Sequence, residues 1–190
     1  MRPSTSHRLL PAVAAALAAL AGCGGAVKPA DPPAAAIVMP SQVINGFQLT
    51  ETIMGRKSWV LNADSANTFN DRQTVELFRL TLDFYKKDSD TVLMVLTADQ
   101  GEINTASRDL EGRRHVVMVT RDSLRILTDD VRWNNKRRKL VTKSHVRLEK
   151  GTDWLEGDGM EAIPDRREVQ LLRNVRGKKE LLDIDRFRWD

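Results

Sequence analysis

The chain has 190 residues, 41% of them hydrophobic and 29% charged, with a formal net charge of +4 and a single cysteine. Once an export segment is set aside, that length supports one hydrophobic core and falls short of two. One cysteine excludes a disulfide framework. A modest positive balance does not make a nucleic-acid binder of a chain that opens on an export signal.

Residues 1–22 read as a lipoprotein signal peptide. Arg2, His7 and Arg8 give a basic start, and residues 9–20 form an apolar run too short to span a bilayer comfortably. The run ends in Leu20-Ala21-Gly22-Cys23. That order resembles a bacterial lipoprotein signal, which makes Cys23 the acylated first residue of the mature chain. A plain secretory signal with a chance cysteine, or an uncleaved anchor, is the alternative. Residues 23–40 are a Pro/Ala-rich tether holding Pro29, Pro32, Pro33 and Pro40. At about 3.1 Å per residue, such a segment holds a domain up to roughly 50 Å from a membrane. Six of the seven prolines precede Ser41, so the folded part carries only Pro164, as a hydrogen-bonded sheet requires.

From Ser41 the composition changes to short strand-like runs. Phe47 and Leu49 alternate with polar residues, Gly55-Arg56-Lys57 turns, and Trp59, Leu61 and Ala63 alternate again. Asn70-Asp71-Arg72-Gln73 marks the next turn. Val75 and Leu77 share one parity while Leu80, Leu82 and Phe84 share the other, a slip that predicts a β-bulge near Phe78. The runs 92–96 and 116–119 are apolar on both parities and read as central strands covered on two sides. Turns are expected at Asp99-Gln100-Gly101 and over 109–114.

Residues 129–177 carry the clearest pattern. Leu140, Thr142, Ser144, Val146 and Leu148 fall on one parity, while the other parity is polar apart from Val141. With turns at Asn134-Asn135-Lys136, Lys150-Gly151-Thr152-Asp153 and Pro164-Asp165, the stretch predicts four strands in an antiparallel meander. The unit around Ala98-Asp99 loosely echoes that around Gly157-Asp158-Gly159, a weak repeated hairpin. Counted along the chain, roughly a dozen strands at 8–12-residue spacing give the all-β sandwich or barrel signature. The domain is expected over 41–177. Residues 178–190 form a tail that fits either a strand or a helical turn.

No catalytic signature is present: there is no phosphate-cradling Gly-rich loop, no His-Glu-x-x-His and no Gly-x-Ser-x-Gly. His115 and His145 have no second His or Cys at ligand spacing, so no metal and no cofactor are expected. Asp129 and Asp130 point to opposite faces of a strand and fit a turn or strand end better than an acid–base pair. The basic run Lys136-Arg137-Arg138-Lys139 reads as a solvated hairpin tip, or as a contact for anionic lipid headgroups. These features favour a carrier or scaffold over an enzyme.

The segments Leu96-Thr97-Ala98-Asp99-Gln100-Gly101, Leu110-Glu111-Gly112, Leu127-Thr128-Asp129-Asp130-Val131-Arg132-Trp133 and Gly157-Asp158-Gly159-Met160-Glu161-Ala162 together resemble the LptC family of periplasmic lipopolysaccharide-export components. The likeness covers roughly residues 47–177. It implies an open antiparallel β-jellyroll, V-shaped and folded like a taco, whose interior carries acyl chains. It implies lipopolysaccharide as ligand and an LptA-like periplasmic carrier downstream. Permease subunits of an inner-membrane ABC transporter would stand upstream. Family members commonly carry a transmembrane helix where this chain has Cys23, so a lipid anchor is expected, with the inner membrane favoured and the outer membrane open. The groove candidates are Leu140, Val146, Leu148, Met160, Val169 and Leu171. The partner-edge candidates are Phe47, Leu49, Gly151, Gly159, Val169, Leu171 and Val175, on a donor-facing edge at 47–52 and an acceptor-facing edge at 168–175. The rival expectation is a structural or adaptor lipoprotein whose β-sandwich core is closed and dry.

Overall fold

The computed structural model describes residues 39–178 and the backbone of 187–188; Cys23, the tether and most of the C-terminal tail lie outside them. The strands are β1 (Gln42–Ile53), β2 (Arg56–Phe69), β3 (Thr74–Tyr85), β4 (Val92–Asn104), β5 (Leu110–Thr120), β6 (Arg125–Asn134), β7 (Lys139–Lys150), β8 (Asp153–Ile163), β9 (Glu168–Gly177) and the two-residue β10 (Phe187–Arg188). Each pairs antiparallel with the next, so the sheet order is the chain order. β1 and β9 do not pair with each other, and the jellyroll stays open. A single 3-10 turn, Pro164–Arg166, joins β8 to β9. Among the described residues no helix is long and apolar enough to cross a membrane.

The strands are longer and fewer than the dozen expected, because nearly every one is interrupted midway without ending. The β2–β3 ladder passes from Ala63↔Leu80 to Ser65↔Phe78. The β4–β5 ladder jumps from Thr97↔Val117 to Gln100↔Arg113, and the β6–β7 ladder from Thr128↔Val146 to Arg132↔Val141. These breaks line up as a crease across the sheet. Backbone there is left-handed at Gly46 (φ 66°), Arg79 (51°), Arg114 (63°), His115 (46°), Gly159 (78°) and Asn174 (51°). A bulge bends a strand and re-aims its side chains. Near Phe78 the register is the same on both sides, so the expected β-bulge is absent; the crease passes there through one left-handed residue, Arg79, opposite Asp64. Asp99-Gln100-Gly101 lies on the crease inside β4 rather than in a turn. The turn expected over 109–114 falls earlier, because Leu110 already starts β5.

The crease divides the sheet into two half-sheets whose apolar faces meet. Phe84 from one packs on Trp133 from the other, with ring centroids 4.8 Å apart and planes at 58°. One continuous core runs through Trp59, Leu61, Leu82, Leu96, Met118, Ile126, Val131, Trp133, Leu140 and Val146. The run 116–119 is covered on one side only: Val116 and Met118 are buried while Val119 is exposed. The parity set on β7 points inward as expected, with Leu140, Thr142, Val146 and Leu148 buried.

Candidate functional site

The groove candidates converge. Leu140, Val146 and Leu148 on β7, Met160 on β8 and Val169 on β9 are all buried in the core, and Leu171 is half-buried against it. Leu61, Leu82, Leu96, Met118 and Ile126 project into the same space from the other strands and are equally buried. Side chains therefore fill the space between the half-sheets, and its wall is apolar apart from a few buried hydroxyls such as Thr128 and Thr142.

Opposite the crease, the strand tips of the two half-sheets are bridged by polar contacts. Asn135, in the β6–β7 turn, accepts hydrogen bonds at Oδ1 from Trp59 Nε1 (3.2 Å) and Trp133 Nε1 (3.1 Å). Its own backbone N–H donates to Asp109 Oδ1 at 2.8 Å. Arg138 donates to both oxygens of Asp165 (2.6 and 3.1 Å) and to Ser58 Oγ (2.8 Å). Arg108 reaches Glu51 across the same mouth at 3.0 Å. Sequence reasoning placed Asn135 and Arg138 in a turn and in a solvated basic run, and it missed this bridge. A turn residue's distant partner leaves no trace in local pattern.

The edges are unequal. β1 has no neighbour on its outer side among the described residues; Phe47 and Leu49 pair with Ala63 and Leu61 on its inner side and lean on the core. β9 is covered by β10 only at Glu168 and Val169. Residues 170–177 have no strand on that side among the described residues, and there Leu172 (48% exposed) and Val175 (45%) show apolar surface. Gly151 sits at the β7–β8 turn with φ 61°. Gly159 lies on the crease, where an added Cβ would stand 3.2 Å from Leu172 Cδ1.

A polar seam follows the outside of the crease. Asp64 pairs with Arg79 (2.5 Å), Asp99 with His115 Nδ1 (2.6 Å), Asp130 with Ser144 and with Thr142 (3.2 Å), and Asp158 with Asn174 (2.6 Å) and His145 (3.3 Å). Even-numbered strands supply the carboxylates, and odd-numbered strands mostly supply the partners. Hydrogen bonds from Asn174 and then His145 hold the Asp158 carboxyl below its ordinary range. The Arg176 hydrogen bond does the same for Glu156, and that of Arg113 for Glu111. Burial pushes Asp122 up, but hydrogen bonds from Lys150 and Thr120 outweigh it and hold the group down. Carboxylates kept ionised in this way suit ion pairing and not proton donation at neutral pH. Among the described residues no group of three or more His, Cys, Asp or Glu side chains is placed to hold a metal ion.

The family model described as lipopolysaccharide-assembly, LptC-related, matches residues 13–180. Among curated proteins none matches the chain.

Proposed function

The chain belongs to the LptC-related family of lipopolysaccharide assembly, and on that premise we propose that it takes glycolipid acyl chains between its half-sheets and hands them to an LptA-like carrier. Membership itself gives a non-enzymatic role connected with lipopolysaccharide transport, in a periplasmic, membrane-associated setting. The finer reading is supported by one observation above the rest. The wall between the half-sheets is predominantly apolar, broken only by a few buried hydroxyls, and is contributed by the inward residues of β1 to β9. Leu140, Val146, Leu148, Met160, Val169 and Leu171 would line the acyl chains. Because side chains fill that space, the chains enter only as the half-sheets part, pivoting on the crease and releasing the Asn135 and Arg138 bridges.

The partners follow from the edges and the anchor. Residues 170–177 of β9, which have no partner strand on that side among the described residues, would receive an incoming strand of the downstream carrier, with Leu171 and Val175 extending the apolar wall. The β1 edge at 47–52, with Phe47 and Leu49 behind it, would face the permease subunits. Gly159 lets Leu172 and the Thr142 carbonyl approach closely, and Gly151, with open space around it, leaves the β7–β8 turn unhindered. Cys23 would carry the acyl anchor, with the tether letting the domain reach from the membrane.

The filled interior also favours a second reading, a structural or adaptor lipoprotein with a closed core. Photoreactive residues at Val146, Leu148 and Met160 separate the two in cells. Adducts with lipopolysaccharide, together with its accumulation at the inner membrane on depletion, support the carrier. No interior adduct, with normal surface lipopolysaccharide after depletion, leaves the adaptor. Photoreactive residues at Gln170 and Leu172 test the docking edge, and failure to capture any carrier in dependent cells would sink it.

A further inference from the structure

At the bridged mouth lies a cavity of about 300 Å³ lined by Ile53, Met54, Arg56, Lys57, Tyr85 and Lys87, and closed on the far side by Arg138 with Asp165. At about 30 Å³ per water-sized group it holds roughly ten such groups. Its chemistry is divided. Ile53, Met54 and the Tyr85 ring give an apolar wall, while Arg56, Lys57, Lys87 and Arg138 supply four cations against the carboxylates of Asp88 and Asp165. Asp165 is already engaged by Arg138 in a two-pronged ion pair. Arg56 and Lys87 enter no ion pair among the described residues, and Lys57 rests its ammonium 5.5 Å over the Tyr85 ring.

The turn that builds this wall is strained for its composition. Met54 and Gly55 both adopt positive φ, 51° and 77°. Two positive-φ residues in succession suit a tight two-residue hairpin, a geometry that asparagine and glycine accept and a long side chain resists. Here the first position holds a methionine that is 97% exposed. An exposed, unbranched, adaptable side chain beside unpaired cations suits an amphiphile, with the thioether following an alkyl chain and the cations its charged end.

We propose that this mouth cavity binds the phosphate of a phosphorylated amphiphile, with Arg56, Lys57 and Lys87 on the anion and Ile53, Met54 and Tyr85 against the first methylenes. The assignment rests on the carrier reading for its natural ligand, a phosphate-bearing glycolipid, while the site can be tested alone. Buried Trp59 and Phe84 lie just inside the wall, on the strands that carry Ser58 and Tyr85. A phosphate held here therefore places its alkyl portion at the entrance to the interior. It also offers Arg138 an alternative to Asp165.

The test uses the full chain in nanodiscs of zwitterionic phospholipid, titrated with n-octyl phosphate below its micellar concentration. Amine-reactive labelling at Lys57 and Lys87 should slow several-fold, and n-octyl glucoside should leave it unchanged. Arg56→Gln with Lys87→Gln should weaken octyl phosphate binding about tenfold. The charge-matched pair Lys86→Gln with Lys136→Gln, outside the cavity, should retain it. Equal protection by inorganic phosphate overturns the amphiphile and leaves a plain anion site. Protection by anionic phospholipid vesicles but not by octyl phosphate overturns it in favour of a membrane-contact surface. Loss of octyl phosphate binding in the control pair overturns the assignment to these residues. Octyl phosphate binding without interior glycolipid adducts would remove the carrier reading and leave this site standing; adducts without such binding would do the reverse.

Discussion

Replacing Asn135 by alanine isolates the bridge between the half-sheets. Its Oδ1 satisfies the indole N–H groups of Trp59 and Trp133, which are 0% and 1% exposed. Alanine leaves two buried donors without an acceptor, each costing about 1–3 kcal/mol. Asn135 itself is half-buried, so water entering the vacated space would recover part of that, and the net loss should fall near the lower end, about 2–3 kcal/mol. For a folded part of this size the melting temperature should drop by about 5–10 °C. Asn135→Asp keeps the acceptor and should lose less than about 1 kcal/mol. Urea unfolding gives the free energies, and a cycle with Trp59→Phe, which deletes one donor, should show coupling of about 1 kcal/mol or more. If Asn135→Ala unfolds within 0.5 kcal/mol of the parent at an unchanged urea slope, about the spread of an ordinary surface change, the bridge does not hold the tips together.

Gly101→Ala should cost about 1–3 kcal/mol in the same assay, since its Cβ would stand 2.2 Å from Leu80 Cδ2 and 2.8 Å from the Glu111 carbonyl oxygen, and the carbonyl cannot give way. Acid titration followed by circular dichroism should show stability falling below about pH 4. Glu111, Asp122, Glu156 and Asp158 are all held down in the folded state, so their contribution is complete above the ordinary carboxylate range and is lost as pH falls through the lowered values. A midpoint near neutrality would contradict that assignment. Cys23→Ser should abolish metabolic labelling with a fatty-acid analogue; persistent labelling would place the acyl group elsewhere.

Much of the fold was legible along the chain because a strand's period is local. Leu140, Thr142, Val146 and Leu148 alternate in sequence and point inward in space, and the four strands across 129–177 are β6 to β9. The crease was legible too, though only one part of it was read. Inward residues fall three apart rather than two wherever it crosses an even strand, from Ala63 to Ala66, Ala98 to Gly101 and Thr128 to Val131. The same slip from Leu77 to Leu80 was read as a bulge, although the ladder keeps its register there and only Arg79 turns left-handed. Elsewhere, Asp and Gly at the bend imitated turn chemistry and split long strands in two. Turn residues and bulge residues share a need for unusual backbone, so composition alone does not distinguish them.

What the sequence alone determined, then, is an all-β chain with an apolar inward face and no catalytic pattern. Each of these is written in neighbouring residues. Tertiary structure alone decided that Leu140, Val146, Leu148, Met160 and Val169 share one buried core and that Asn135 and Arg138 bridge the two halves. It also decided that Arg56, Lys57 and Lys87 gather beside Met54 and Tyr85. The β1–β2 turn and the β6–β7 turn are about 80 residues apart, as with Ser58 and Arg138. Only the folding of the sheet along its crease brings them together, and no local period encodes that distance.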